Sequence, residues 1–210
     1  MKWLLGTFIT RNTSYTEVVK KYLLTSCENV NISDRLRVVE IDNYNSWLRN
    51  VAEKPNVILQ LLNTLEKDDA LVFVDSDASF ERFPMLFDEL LANTKIDIAF
   101  HRLDWNRHYG HSNNPPTKEL LSGTLFLRNN AQVKKLCEEW YEKSKSALVW
   151  EQRVLDSILS KHNLTQYELP FSYCYIPLLP CGTETHDLCQ AVIKHENISR
   201  KLKRNLNNAI

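Results

Sequence analysis

Runs of consecutive aliphatic and β-branched residues alternate along the chain with longer stretches whose apolar positions recur every three or four residues. The first pattern predicts strands and the second amphipathic helices. Strands are predicted over 2–9 (KWLLGTFI), 35–41 (RLRVVEI), 70–75 (ALVFVD), 96–103 (IDIAFHRL) and 122–128 (SGTLFLR). Helices are predicted over 14–27, 55–66, 85–94, 130–144 and 150–161, the second opened by Pro55. Strands that alternate with helices predict parallel pairing and one α/β domain with a mostly parallel central sheet flanked by helices. The last third carries short strands such as QYELPF and QAVIKH, and a basic segment, SRKLKR, follows. Residues 104–119 hold a glycine and paired prolines and read as a long polar loop, a feature that is uncommon unless it serves function.

A length of 210 residues fits one domain of ordinary size. The hydrophobic fraction of 43% and charged fraction of 25% are those of a globular chain, and 26 basic residues balance 26 acidic ones, so no bulk charge points to nucleic acid. The opening MKWLLGTFIT has too short an apolar run for a signal peptide and lacks a small-residue cleavage site, which favours a first strand. No segment approaches the roughly 18 consecutive apolar residues of a membrane span. Cys27, Cys137, Cys174, Cys181 and Cys189 are odd in number and show no CxxC spacing, which argues against a disulfide framework or zinc ribbon and for reduced thiols in the cytoplasm. In that setting the sequons at Asn12, Asn31, Asn163 and Asn197 carry no weight. Only Gly6, Gly110, Gly123 and Gly182 occur, so neither a GxGxxG fingerprint nor a Walker loop is present. This argues against dinucleotide binding of the usual kind and against P-loop phosphate transfer.

The chemistry gathers where the buried strand ALVFV runs out into Asp75, Ser76 and Asp77. Ligands of open α/β sheets bind beyond the carboxyl ends of the strands, which is where these carboxylates fall. Two such oxygens suit a hard divalent cation, which is commonly shared between carboxylates and substrate phosphates. The alternative is a surface turn in which Asp side chains satisfy backbone N–H groups.

The stretch LVFVDSDASF resembles the D-x-D motif of GT-A-type glycosyltransferases, the nucleotide-diphospho-sugar transferase superfamily. Three further stretches match in the right order: EKPNVILQLLNTL (53–65) resembles the helix before the D-x-D strand, LLSGTLFLRNN (120–130) the strand after the acceptor loop, and WEQRVLDSIL (150–159) the D-Q-x-x-L helix start. The resemblance implies a single GT-A-like, Rossmann-like domain over 1–210, with a nucleotide-sugar-binding half at about 1–103 and an acceptor-side half at about 104–210. It implies Mn²⁺ or Mg²⁺ held by Asp75 and Asp77 against the donor diphosphate. AVIKHENISRKLKR resembles the segment that supplies a histidine as third ligand, which implies His195, with Arg200, Lys201 or Lys203 facing the diphosphate and His186 as a competing ligand.

Carried over by position, the resemblance implies that Thr7, Phe8 and Tyr15 seat the nucleoside and that Lys54 and Ser76 lie on the donor side. It implies Ser122, Gly123 and Thr124 on the acceptor side, and Glu151 where the family often has Asp, as general base in an inverting enzyme or as a sugar-positioning group in a retaining one. In the polar loop, Asp104, Trp105, Arg107, His108 and Tyr109 suit sugar stacking and hydroxyl recognition. Each residue also has a plain structural reading: Phe8 as core, Lys54 on a solvated turn, Gly123 as a strand bulge, Glu151 at a helix dipole, His195 before a solvated basic helix. The implied activity is sugar transfer from a nucleotide sugar, UDP-sugar by family frequency, to an unidentified glycan or small-molecule acceptor. The alternatives are a catalytically inactive sugar- or nucleotide-binding protein on the same fold, and a haloacid-dehalogenase-like phosphatase with Asp75 as nucleophile. In those phosphatases, however, the motif normally ends the first strand.

Overall fold

A computed structural model describes residues 1–104, 118–177 and 190–198. Its central strand is β3 (Ala70–Val74), buried at every position. Ala70, Val72 and Val74 belong to one apolar cluster, with Trp3, Leu5, Phe87 and Phe126. Leu71 and Phe73 belong to another, with Ile58, Leu62, Leu136 and Trp140. Successive side chains leave a strand on opposite faces, so a strand between two helical layers is apolar throughout.

On one side of β3 lie β1 (Trp3–Thr10) and β2 (Leu36–Ile41); on the other lie β6 (Lys118–Arg128), β5 (Ile98–Asp104) and β7 (Gln166–Glu168). Among the described residues these make a six-stranded sheet in the order β2, β1, β3, β6, β5, β7. Pairing is parallel for β1 with β2, β1 with β3 and β5 with β7, and antiparallel on both sides of β6. The sheet is therefore mostly parallel, as expected, with β6 the antiparallel exception. Parallel neighbours need a crossover, usually a helix; the stretch between β5 and β6 has no helical periodicity, and the two strands pair directly. β6 also starts at Lys118, inside the stretch expected to be loop.

The first helix is continuous through α1 (Tyr15–Val18), a π-helical stretch (Val19–Leu24) and α2 (Thr25–Asn29). It is followed by α3 (Trp47–Ala52), a short helix capped by the Ser46 hydroxyl that the periodicity does not predict. Then come α4 (Lys54–Leu62), α5 (Leu86–Ala92), α6 (Ala131–Ser146) and α7 (Glu151–Leu159). Apolar residues of the π-helical stretch, α2 and α5 pack into the first cluster, and those of α4, α6 and α7 into the second. Where α4 crosses β1, a Cβ on Gly6 would fall 2.6 Å from Leu61 Cδ1 and 2.9 Å from Leu71 Cδ1, so its missing side chain permits the close approach. A second sheet pairs β4 (Ala78–Phe80) antiparallel with β8 (Ile193–His195).

Candidate functional site

Three backbone devices build the site at the end of β3. First, the chain turns immediately: the Ala78 N–H donates to Asp75 O at 3.0 Å, so Asp75, Ser76 and Asp77 form a tight corner and β4 begins at once. Second, the antiparallel register sets Ala78 opposite His195, which brings a residue from late in the chain beside Asp77. The N–H groups of Glu196 and Ile198 then donate to Asp77 O and Oδ2, at 3.2 and 2.8 Å, across a left-handed Asn197 with φ of 52°. Third, β6 bulges against β5. Phe100 pairs with Leu125 while His101 pairs with Leu121, which leaves Ser122, Gly123 and Thr124 out of register with β5 and turned to the site.

Asp75, Asp77 and His195 offer ligand atoms that all lie within 4.8 Å of one another. The Thr124 hydroxyl sits 2.8 Å from His195 Nε2, so the imidazole presents Nδ1 to the carboxylates, 4.0 Å from Asp77 Oδ1. A Cβ on Gly123 would approach His195 Cε1 to 3.1 Å and Asp75 Oδ2 and His195 Nδ1 to 3.3 Å each, so the glycine keeps the space between the ligands open. Burial raises the pKa of Asp77, with Asp75 adding to it and His195 opposing. Burial lowers that of His195 against the pull of both carboxylates, which favours the neutral imidazole that metals bind. Two carboxylate oxygens, one imidazole nitrogen and a glycine-kept gap fit a divalent cation such as Mn²⁺ or Mg²⁺.

Behind the carboxylates lies a buried ion pair. Lys54, 4% exposed, places Nζ 2.9 Å from Asp75 Oδ1 and 2.8 Å from Glu151 Oε1. It also donates to Ser122 Oγ at 3.0 Å, and that hydroxyl donates to Glu151 Oε1 at 2.8 Å. Burial opposes the Lys54 charge, but Asp75 and Glu151 outweigh it and raise the ammonium pKa. A lysine that begins a helix opposes the helix dipole, which is a further reason for the two carboxylates. Glu151 is itself held by its backbone carbonyl, which accepts from Trp140 Nε1 at 2.7 Å.

The donor-side candidates fall at the same end of the sheet. Tyr15 is raised in pKa by burial and then by Asp77 and Asp75, which places its hydroxyl in their field. Thr7 is fully buried and its Oγ1 has no hydrogen-bond partner among the described residues. Phe8 packs on Phe73 at 6.3 Å, as its core reading expects. Ser76 is half-buried in the corner, and Asp104 ends β5 opposite Lys118. Trp105, Arg107, His108, Tyr109, His186, Arg200, Lys201 and Lys203 lie outside the described residues. The residue reading overlooks Gln152, which accepts from the Ser122 N–H at 2.9 Å and donates to Glu119 Oε1 at 2.9 Å, tying α7 to the bulge. Its place beside Glu151 in WEQRV was the available signal.

A profile of the nucleotide-diphospho-sugar transferase family matches residues 14–204. The chain belongs to this family. The match covers the D-x-D corner and His195 and leaves no room for the phosphatase alternative. No curated protein sequence matches the chain. Solved structures share its fold. A glycosyltransferase involved in glycosylation of the major capsid of PBCV-1 has a TM-score of 0.65 at 12% identity, covering 100% of this chain and 99% of that one. Mouse xyloside xylosyltransferase 1 in its apo form has 0.55 at 11%, covering 95% and 99%. Galactosyltransferase LgtC in complex with donor and acceptor sugar analogs has 0.56 at 11%, covering 94% and 87%. The fold is thus that of GT-A glycosyltransferases, and among the described residues no helix is long and apolar enough to cross a membrane.

Proposed function

We propose that this family member is a metal-dependent glycosyltransferase that moves a sugar from a nucleotide diphosphate sugar, a UDP-sugar in the first instance, to a glycan or small-molecule acceptor. The observation that carries the reading is the convergence of Asp75, Asp77 and His195 from the end of β3 and from β8 onto one gap. Asp75, Asp77 and His195 would hold Mn²⁺ or Mg²⁺, which when bound supplies positive charge to the departing diphosphate. Thr124 orients His195, and Gly123 keeps the gap clear. Lys54 fixes Asp75 from behind and brings a permanent positive charge to the donor side. Glu151 acts in this reading as a positioning residue: its Oε1 is already engaged by both Lys54 and Ser122, which suits it to hold them more than to take a proton. Thr7, Phe8 and Tyr15 border the nucleoside, and Ser122, Asp104, Trp105 and Arg107 the sugars. A cytoplasmic setting belongs to the same reading and suits Cys27, Cys137 and Cys174, which are free, buried and each pushed up to about 12 by that burial.

Calorimetric titration of UDP, and then GDP, with Mn²⁺ present and with it chelated, tests this in the native chain and in Asp77→Asn. Binding that requires both the metal and Asp77 is expected. Binding indifferent to both would overturn the reading.

A further inference from the structure

Two turns far apart in the chain expose apolar side chains beside the Lys54–Glu151 pair. Leu148 is 93% exposed, Val149 43%, Tyr44 42% and Leu48 37%. Trp47 and Trp150 join the two turns, their rings 6.3 Å apart at an interplanar angle of 77°. Trp150 directly precedes Glu151, and α3, which Trp47 opens, ends just before Lys54, so this face borders the site. Two cations rim it: the Arg49 guanidinium lies 5.3 Å over Tyr44, and that of Arg153 4.5 Å over Trp150. Arg11, Arg35 and Arg102 each pair with a carboxylate, whereas among the described residues Arg49 and Arg153 have none.

We propose that this face docks on an anionic lipid bilayer. An apolar tip as exposed as Leu148 and Val149 gains free energy on leaving water. Tyrosine and tryptophan settle at headgroup depth, and arginines not engaged by carboxylates pair with lipid phosphates. A second copy of the chain fits less well, since a two-fold interface would bury the same tip and crowd Arg49 and Arg153 against their own mates. Glycan stacking fits less well too, because one face of Tyr44 and one of Trp150 are taken by the guanidiniums. The surface goes beyond the transferase reading; only its use, presenting a lipid-linked acceptor to the site, rests on that reading.

The test is cosedimentation of the full chain with phosphatidylcholine vesicles, with and without phosphatidylserine, alongside metal-dependent UDP binding measured on the same preparations. Binding to the phosphatidylserine vesicles is expected, weakened about tenfold in L148S/V149S and roughly fivefold by each of R49Q and R153Q, with UDP binding unchanged in all. Circular dichroism checks that the variants fold. Binding to neither vesicle, or binding that both sets of substitutions leave intact, overturns the proposal. So does a lipid-free dimer, seen by sedimentation equilibrium, that L148S/V149S abolishes. Loss of UDP binding in the native chain with vesicle binding retained would instead sink the transferase reading alone.

Discussion

Strand β6 serves two buried charge clusters of opposite character. At its end, Arg128 is 2% exposed and directs its guanidinium wholly at backbone: Nε donates to Ile96 O at 2.8 Å, one Nη to Asp68 O at 3.0 Å, the other to Leu90 O at 2.8 Å, Leu91 O at 3.3 Å and Asn93 O at 3.0 Å. The Leu90, Leu91 and Asn93 carbonyls lie at the C-terminal end of α5, where a positive charge complements the helix dipole. At the bulge, the Lys54 ammonium faces side chains instead, and Asp75, at the outer edge of that network, is 40% exposed. The first cluster is closed, since its partners are neutral, fixed and already satisfied. The second is open, since its acceptors are carboxylates that still have lone pairs to offer. A closed cluster of this kind holds the fold, and an open one has polar capacity left over.

That contrast predicts separable losses. The largest expected effect is Asp77→Asn, which removes a carboxylate from the open cluster: sugar transfer falls roughly a thousandfold in kcat/KM with thermal stability little changed, as donor-turnover assays and melting would show together. Arg128→Met does the reverse. It leaves several buried carbonyls unpaired and costs about 3 kcal/mol in urea unfolding, while metal-dependent UDP binding per folded molecule stays near native. Glu151→Gln lowers kcat/KM by on the order of tenfold to a hundredfold by loosening Lys54; a positioning role keeps the shape of the pH–rate profile, whereas a general base would lose one limb of it. Gly123→Ala forces His195 and Asp75 apart by a few tenths of an ångström, and about a tenfold weaker Mn²⁺ affinity by calorimetry is expected. The smallest effect concerns His101, whose pKa burial lowers against the Leu169 carbonyl and Glu168. The folded state then binds fewer protons than the unfolded one, so this contribution is full above about pH 6.5 and fades as pH falls toward the folded value. His101→Gln should flatten the acid side of a urea-midpoint series by less than about one proton's slope.

The hydropathy pattern made the scaffold legible because strand and helix periods are local properties. It located β3, the flanking helices and the D-x-D corner, and the likeness to a family pointed to His195. It missed α3 and the three-residue strand β4, which are too short to show a period, whereas QYELPF and QAVIKH held β7 and β8. The bulge at 122–124 was open as one reading of Gly123, but its partners were not, since a register shift depends on what lies opposite. The reversal of β6 had the same source, pairing rather than composition.

Two carboxylates at the exit of a strand buried on both faces follow from the order of residues 70–77 alone, because alternation and apolar content act within a few residues. Their company does not. Tertiary pairing of β4 with β8 delivered His195 to Asp77, and the juxtaposed ends of α4 and α7 set Lys54 between Asp75 and Glu151. Charges that meet across such distances in sequence leave no local periodicity, and burial in a shared core makes the meeting strong enough to matter.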